Sequence, residues 1–167
     1  MSHRRRALAT AAALLTLTAA GACSTQPDPS TDRTRSTVSS AAPGTKTGTG
    51  EVRTDLEPLT KRFSALGQPV SATWMSGTLG GDAPGPSTYW IDAVVEVTPE
   101  TAATLRAAAP QPTAGTPEVE DGVRSAVPSG RLLTSKALDA LFAQGSFRAT
   151  AYLAADSDTV VLVALGQ

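Results

Sequence analysis

Fifteen acidic residues, eleven arginines and three lysines supply almost all the ionisable chemistry of this 167-residue chain. Histidine and cysteine occur once each, at His3 and Cys23, and asparagine is absent. Beyond residue 23 there is no imidazole to act as a general base and no thiol to act as a nucleophile. That excludes Ser-His-Asp and Cys-His catalysis and zinc sites built on His or Cys. No Gly-x-Ser-x-Gly elbow or Ser-x-x-Lys pair is present either. Ser135 and Lys136 are adjacent, so on a helix they point apart.

Carboxylates are what remain for catalysis. Sugar hydrolysis needs two carboxyls roughly 5 to 9.5 Å apart. Asp92 and Glu96 share one face of a strand, but four residues separate their Cα atoms by about 13 Å. A hydrolase would therefore draw its pair from Asp92, Glu96, Asp82 and Glu118 only if the fold brings two of them together. Asp156 and Asp158 match two positions of a calcium loop but lack its Gly and its distant Glu, so they read as a hairpin turn. Glu118 and Asp121 read as an exposed acidic helix face rather than a cation site. No metal or cofactor is expected. The run Gly44-Thr-Lys46-Thr-Gly48-Thr-Gly50 lacks the Gly-Lys-Ser/Thr order of a phosphate loop and reads as linker.

Binding chemistry gathers elsewhere. If Tyr89, Ile91, Ala93, Val95 and Val97 face a core, Trp90, Asp92 and Glu96 lie on the opposite face of the same strand. With Phe147, Ala149, Ala151 and Leu153 inward, Arg148, Thr150 and Tyr152 share that opposite face. Trp90, Asp92, Arg148 and Tyr152 are thus expected to form an exposed binding face, from residue types favoured at interfaces. The alternative is that a helix or the Gly/Pro-rich loop covers Trp90, with Arg148 paired to Asp92 across the strands.

The elements that would position these residues follow from periodicity. Leu56, Leu59, Phe63 and Leu66 form one stripe of a helix over 55–66, capped by Thr54 or Asp55 and stopped by Gly67. Strands are expected over 70–77 and, with clear alternation, over 88–98. Thr98-Pro99-Glu100 is a strong helix start, running to about Ala109. Thr116-Pro117-Glu118 repeats it for a helix towards Val127, and a further helix spans 134–144. Strands over 146–154 and 159–165 close the chain. Short connections make the hairpins antiparallel. The expected fold is α+β: an antiparallel sheet of about four strands with helices packed on one face, and a loose αββ duplication.

The chain starts with an address. Three arginines precede an uncharged run from Ala7 to Ala22, the pattern of a secretory signal. As a helix this run rises only about 24 Å, short of a membrane span of ~30 Å. The run Ala19-Ala20-Gly21-Ala22-Cys23 resembles the lipobox of bacterial lipoproteins, with Ala20 where that family usually carries Leu. The resemblance implies cleavage after residue 22, diacylation of Cys23 and residence at the cell membrane, lipid-anchored on the extracytoplasmic face. Two acyl chains suffice for stable anchoring. Residues 24–50, rich in Ser, Thr, Pro and Gly, are expected to form a disordered tether.

The organisation expected is thus a signal peptide over 1–22, lipidated Cys23 and tether over 23–52, and one α+β domain over 53–167. Removing residues 1–22 takes three of the fourteen basic residues and no acidic one, leaving an acidic chain without a footprint for nucleic acid. The function expected is a lipid-anchored, non-enzymatic envelope module that binds an envelope protein or small ligand, with the carboxylate hydrolase as the alternative. Cys23→Ala should move the protein from the detergent phase to the aqueous phase in detergent phase partitioning. Retention in the detergent phase would contradict lipidation at Cys23.

Overall fold

A computed structural model describes residues 45–80, 86–108 and 110–167. Cys23, the signal segment, most of the expected tether and Asp82 lie outside the described residues. The described chain forms β1 (Lys46–Gly48), α1 (Glu57–Arg62), β2 (Ser71–Leu79), β3 (Thr88–Glu96), α2 (Pro99–Arg106), β4 (Gln111–Thr113), α3 (Asp121–Arg124), β5 (Leu132–Thr134), α4 (Lys136–Leu141), β6 (Arg148–Ala154) and β7 (Thr159–Gly166). A single 3₁₀ turn, Ser64–Leu66, follows α1. No helix among these is long and apolar enough to cross a membrane.

All strands join one antiparallel sheet in the order β1-β2-β3-β7-β6-β5-β4. The fold is α+β, with seven strands where about four were expected. The four long strands are the expected ones. The additions, β1, β4 and β5, have three residues each, too few to show a period of two. The two helix–hairpin units suggested as a loose repeat occupy the two halves of the sheet centre, with β3 beside β7.

Alternation along β3 and β7 separates two cores. On one face Ile91, Ala93, Val95, Val160, Leu162 and Ala164 pack against Leu59 and Phe63, Ala102 and Leu105, and Leu138 and Phe142, contributed by α1, α2, α4 and their ends. On the other, Trp90, Val94 and Val161 pack with Met75, Val119 and Val123. Helices therefore lie on both faces, because α3 and the extended chain before it cover the second one. This corrects the expectation of a single helical face.

The capping signals at α2 and α4 act locally. Thr98 Oγ1 accepts from the Thr101 N–H at 3.3 Å, and Ser135 Oγ accepts from the Leu138 N–H at 3.0 Å. At α1 no side chain caps. Asp55, expected to do so, instead receives the Arg53 guanidinium through two hydrogen bonds of 2.6 and 3.1 Å.

The expected domain boundary also moves. Lys46–Gly48, assigned by composition to the tether, is the edge strand on β2, with Thr47 opposite Thr78 and Gly48 opposite Gly77. Close approach makes this possible: a Cβ on Gly77 would stand 1.8 Å from the Thr47 carbonyl oxygen. The domain's described structure thus begins ahead of residue 53.

Candidate functional site

Trp90 and Asp92, expected on an open face, are enclosed. Trp90 is 2% exposed and Asp92 fully buried. Val119, Val123 and the half-buried Ala126 and Val127 form the apolar layer over that face. Tyr152 is half-buried in the same layer. Burial pushes the Tyr152 phenol above its ordinary pKa, and the negative charges of Asp139 and Glu118 push the same way. Arg148 is exposed and turns back to the carbonyl oxygens of Gly145 and Phe147 at 3.2 and 2.9 Å. The assignment of these four residues to one face is correct. The face is core over Trp90 and Asp92, so the four do not form an open binding surface.

Asp92 has a different partner from the one considered. Lys46 Nζ stands 2.6 Å from Asp92 Oδ2, with the lysine side chain 20% exposed. The same oxygen accepts from the Glu120 N–H at 2.8 Å. Lys46 also donates to the Glu118 carbonyl at 3.3 Å and lies 5.2 Å from the centre of the Trp90 ring. The Trp90 indole N–H is shared between the carbonyls of Thr47 and Thr78 at 2.9 and 3.1 Å. Asp92 Oδ1 is buried without a hydrogen bond among the described residues. This pattern explains why the helix expected from Thr116-Pro117-Glu118 does not form there. The carboxylate holds Glu120 N–H, so the chain arrives extended and turns helical only at Asp121.

Among the other candidate residues, Glu118 is exposed, whereas Glu96, Asp158, Asp121 and Ser135 have structural partners. Glu96 accepts from the Ser71 hydroxyl at 3.0 Å. Asp158 pairs with Arg106 at 3.1 Å, and Asp121 with Arg124 at 3.0 Å. Ser135 is a helix cap that also donates to the Ala108 carbonyl at 3.1 Å. Among the described residues no three His, Cys, Asp or Glu side chains come together to hold a metal.

The site that the sequence did not signal lies on the helical face. A six-residue helix rises about 9 Å, whereas a nine-residue strand runs about 30 Å. Among the described residues, α1 therefore leaves the far end of the β2–β3 hairpin uncovered. A cavity of about 290 Å³ opens there. Trp74, Ser76 and Thr78 of β2 and Tyr89 and Ile91 of β3 line its floor, and Pro58 and Arg62 of α1, Arg53 and Phe147 line its walls. Tyr89 keeps 49% of its surface exposed.

Much of the wall is fixed in place. Arg53 and Trp74 exchange two backbone hydrogen bonds, of 2.8 and 2.9 Å. The Arg53 guanidinium lies 4.2 Å from the centre of the Trp74 ring, and the Trp74 indole donates to the Asp55 carbonyl at 2.9 Å. Arg62 lies 5.7 Å from the centre of the Phe147 ring. Phe147 is seated over Gly166, where a Cβ would come within 2.6 Å of its ring. Concave, largely aromatic and carrying a few polar groups, the cavity has the composition of a small-molecule site. A second, more polar hollow of about 630 Å³ lies along residues 116–120 beside Lys46 and Arg124. Its two cations are already committed, Lys46 to Asp92 and Arg124 to Asp121 and the Val119 carbonyl, and its lining also carries the carboxylates of Glu118 and Glu120.

Comparison of the chain with protein-family models, curated proteins and solved structures returned no match in any of the three.

Replacing Lys46 by Met would leave the Asp92 carboxylate buried without its counter-ion. Urea unfolding should register a loss of about 3–5 kcal/mol. The Lys46→Met/Asp92→Leu double variant should recover most of it, because an apolar pair of similar volume removes the buried charge. A loss below about 1 kcal/mol for Lys46→Met would place the pair with ordinary surface ion pairs.

Proposed function

We propose that this chain is a cell-envelope protein anchored by lipid at Cys23 on the extracytoplasmic face of the membrane. Its domain is a non-enzymatic module that binds a small ligand in the arginine- and aromatic-lined cavity of the helical face. The anchor rests on the basic start, the short apolar run and the small residues before Cys23. The binding role rests on one observation: the cavity at the end of the β2–β3 hairpin, with Trp74 and Tyr89 in its floor, Phe147 in its wall and guanidinium groups from Arg53 and Arg62.

Two readings compete with it. A carboxylate hydrolase would need acidic side chains open to substrate. Of its candidates Asp92 is fully buried and bonded to Lys46, Glu96 is bonded to Ser71, Glu118 lines the other hollow, and among the described residues no carboxylate lines this cavity. A protein partner would need a broad open face, and the face first considered is covered by Val119 and Val123. A recess of this size suits a compact molecule.

Thermal unfolding of the full chain with a panel of small aromatic compounds of differing charge tests the reading. At least one compound should stabilise the protein, by roughly 2.7 kcal/mol at a hundred times its Kd. Ser76→Phe, which fills the floor, should abolish that response. Failure of every compound, or an equal response in Ser76→Phe, would contradict the proposal.

A further inference from the structure

We infer that the ligand of this cavity is a flat anion, an aromatic carboxylate in its simplest form, whose charge is taken by Arg62. The inference rests on the binding role proposed above and adds the chemistry of what binds. Two guanidinium groups line the cavity, and their situations differ. The fork of Arg53 is filled by the Asp55 carboxylate, at 2.6 and 3.1 Å. Arg62 has no carboxylate partner among the described residues. Its neighbours Glu57 and Lys61 pair with each other at 2.7 Å, so the nearest acid on α1 is also taken. Among the described residues the cavity lining thus carries one guanidinium, that of Arg62, without a carboxylate partner.

The remaining surface selects the shape. Tyr89 offers an exposed ring and Phe147 a half-buried one, above a floor fixed by the buried Trp74, rather than flexible aliphatic chains. Their stiffness favours a planar ligand, since little side-chain entropy is lost on stacking. The Ser76 hydroxyl on the floor makes no hydrogen bond among the described residues and can serve a polar substituent. A guanidinium that meets a carboxylate gives two parallel N–H···O bonds in one plane, so a planar acid lets one geometry satisfy both charge and stacking. At about 290 Å³ the cavity sits at the low end of small-molecule sites, matching one or two fused rings.

Titration of the full chain with 2-naphthoate, its neutral isostere 2-naphthamide and the cation 2-naphthylmethylammonium separates the two levels of the proposal. 2-Naphthoate should bind about tenfold or more tightly than 2-naphthamide, the range of a charge-assisted hydrogen bond, and the cation should bind most weakly. Arg62→Gln should bring the affinity for 2-naphthoate down to that for 2-naphthamide measured in the same variant, with cooperative thermal unfolding retained. Equal binding of 2-naphthoate and 2-naphthamide, or a preference that survives Arg62→Gln, would overturn the anionic ligand and leave the binding role standing. Binding of none of the three would overturn both.

Discussion

A single buried carboxylate organises one side of this sheet. Asp92 has no solvent contact, and through one oxygen it holds Lys46 from β1 and the N–H of Glu120 ahead of α3. Those partners lie 46 residues before it and 28 after it. Removing a charge from water costs several kcal/mol, so the position is tolerable only while the lysine and the amide are both in place. Each therefore constrains a segment with little else to fix it: a three-residue edge strand and a four-residue helix. Val119 and Val123 are brought over Trp90 and Val94 by the same bond, and the second core closes.

The open side of the same hairpin follows from what the closed side leaves alone. With Lys46, Trp90 and Asp92 behind the sheet, the residues that alternate with them, Ser76, Thr78, Tyr89 and Ile91, face the helices. α1 is too short to cover them. The Trp90 indole ties the carbonyls of Thr47 and Thr78 together and stiffens the strand that floors the cavity. Arg53 and Trp74 hold one wall through backbone and ring contact. Such a preformed recess loses little ordering entropy when it is filled.

The sequence made the long elements legible because each carries its own signal. Thr98 and Ser135 cap with hydroxyls that need only their own helix, and β3 alternates over nine residues. Facing was legible too, since Trp90, Asp92, Arg148 and Tyr152 do share one side. Its exposure was not, because the cover comes from Val119 and Val123, whose i, i+4 spacing marks an apolar stripe but not the surface it meets. Lys46 was hidden by its surroundings of Thr and Gly, where only the β-branched alternation of Thr45, Thr47 and Thr49 hints at a strand. The helix expected from Thr116 was lost to a tertiary bond that no local pattern records. The cavity is assembled from four separate stretches around Arg53, Arg62, Trp74 and Tyr89, and Phe147 completes it. Nothing in any one stretch marks it.

The central claim is that the helical side of the β2–β3 hairpin end is the binding side, while the Asp92 side is a structural core. Chemical-shift mapping of the ¹⁵N-labelled full chain with saturating 2-naphthoate tests it most directly. The account predicts that the largest changes fall on the backbone amides of Arg62, Ser76 and Tyr89 and on the Trp74 indole N–H, with Lys46, Asp92 and Glu120 nearly unmoved. Changes concentrated instead along residues 116–124 and at Lys46 would contradict it and move the site to the opposite face.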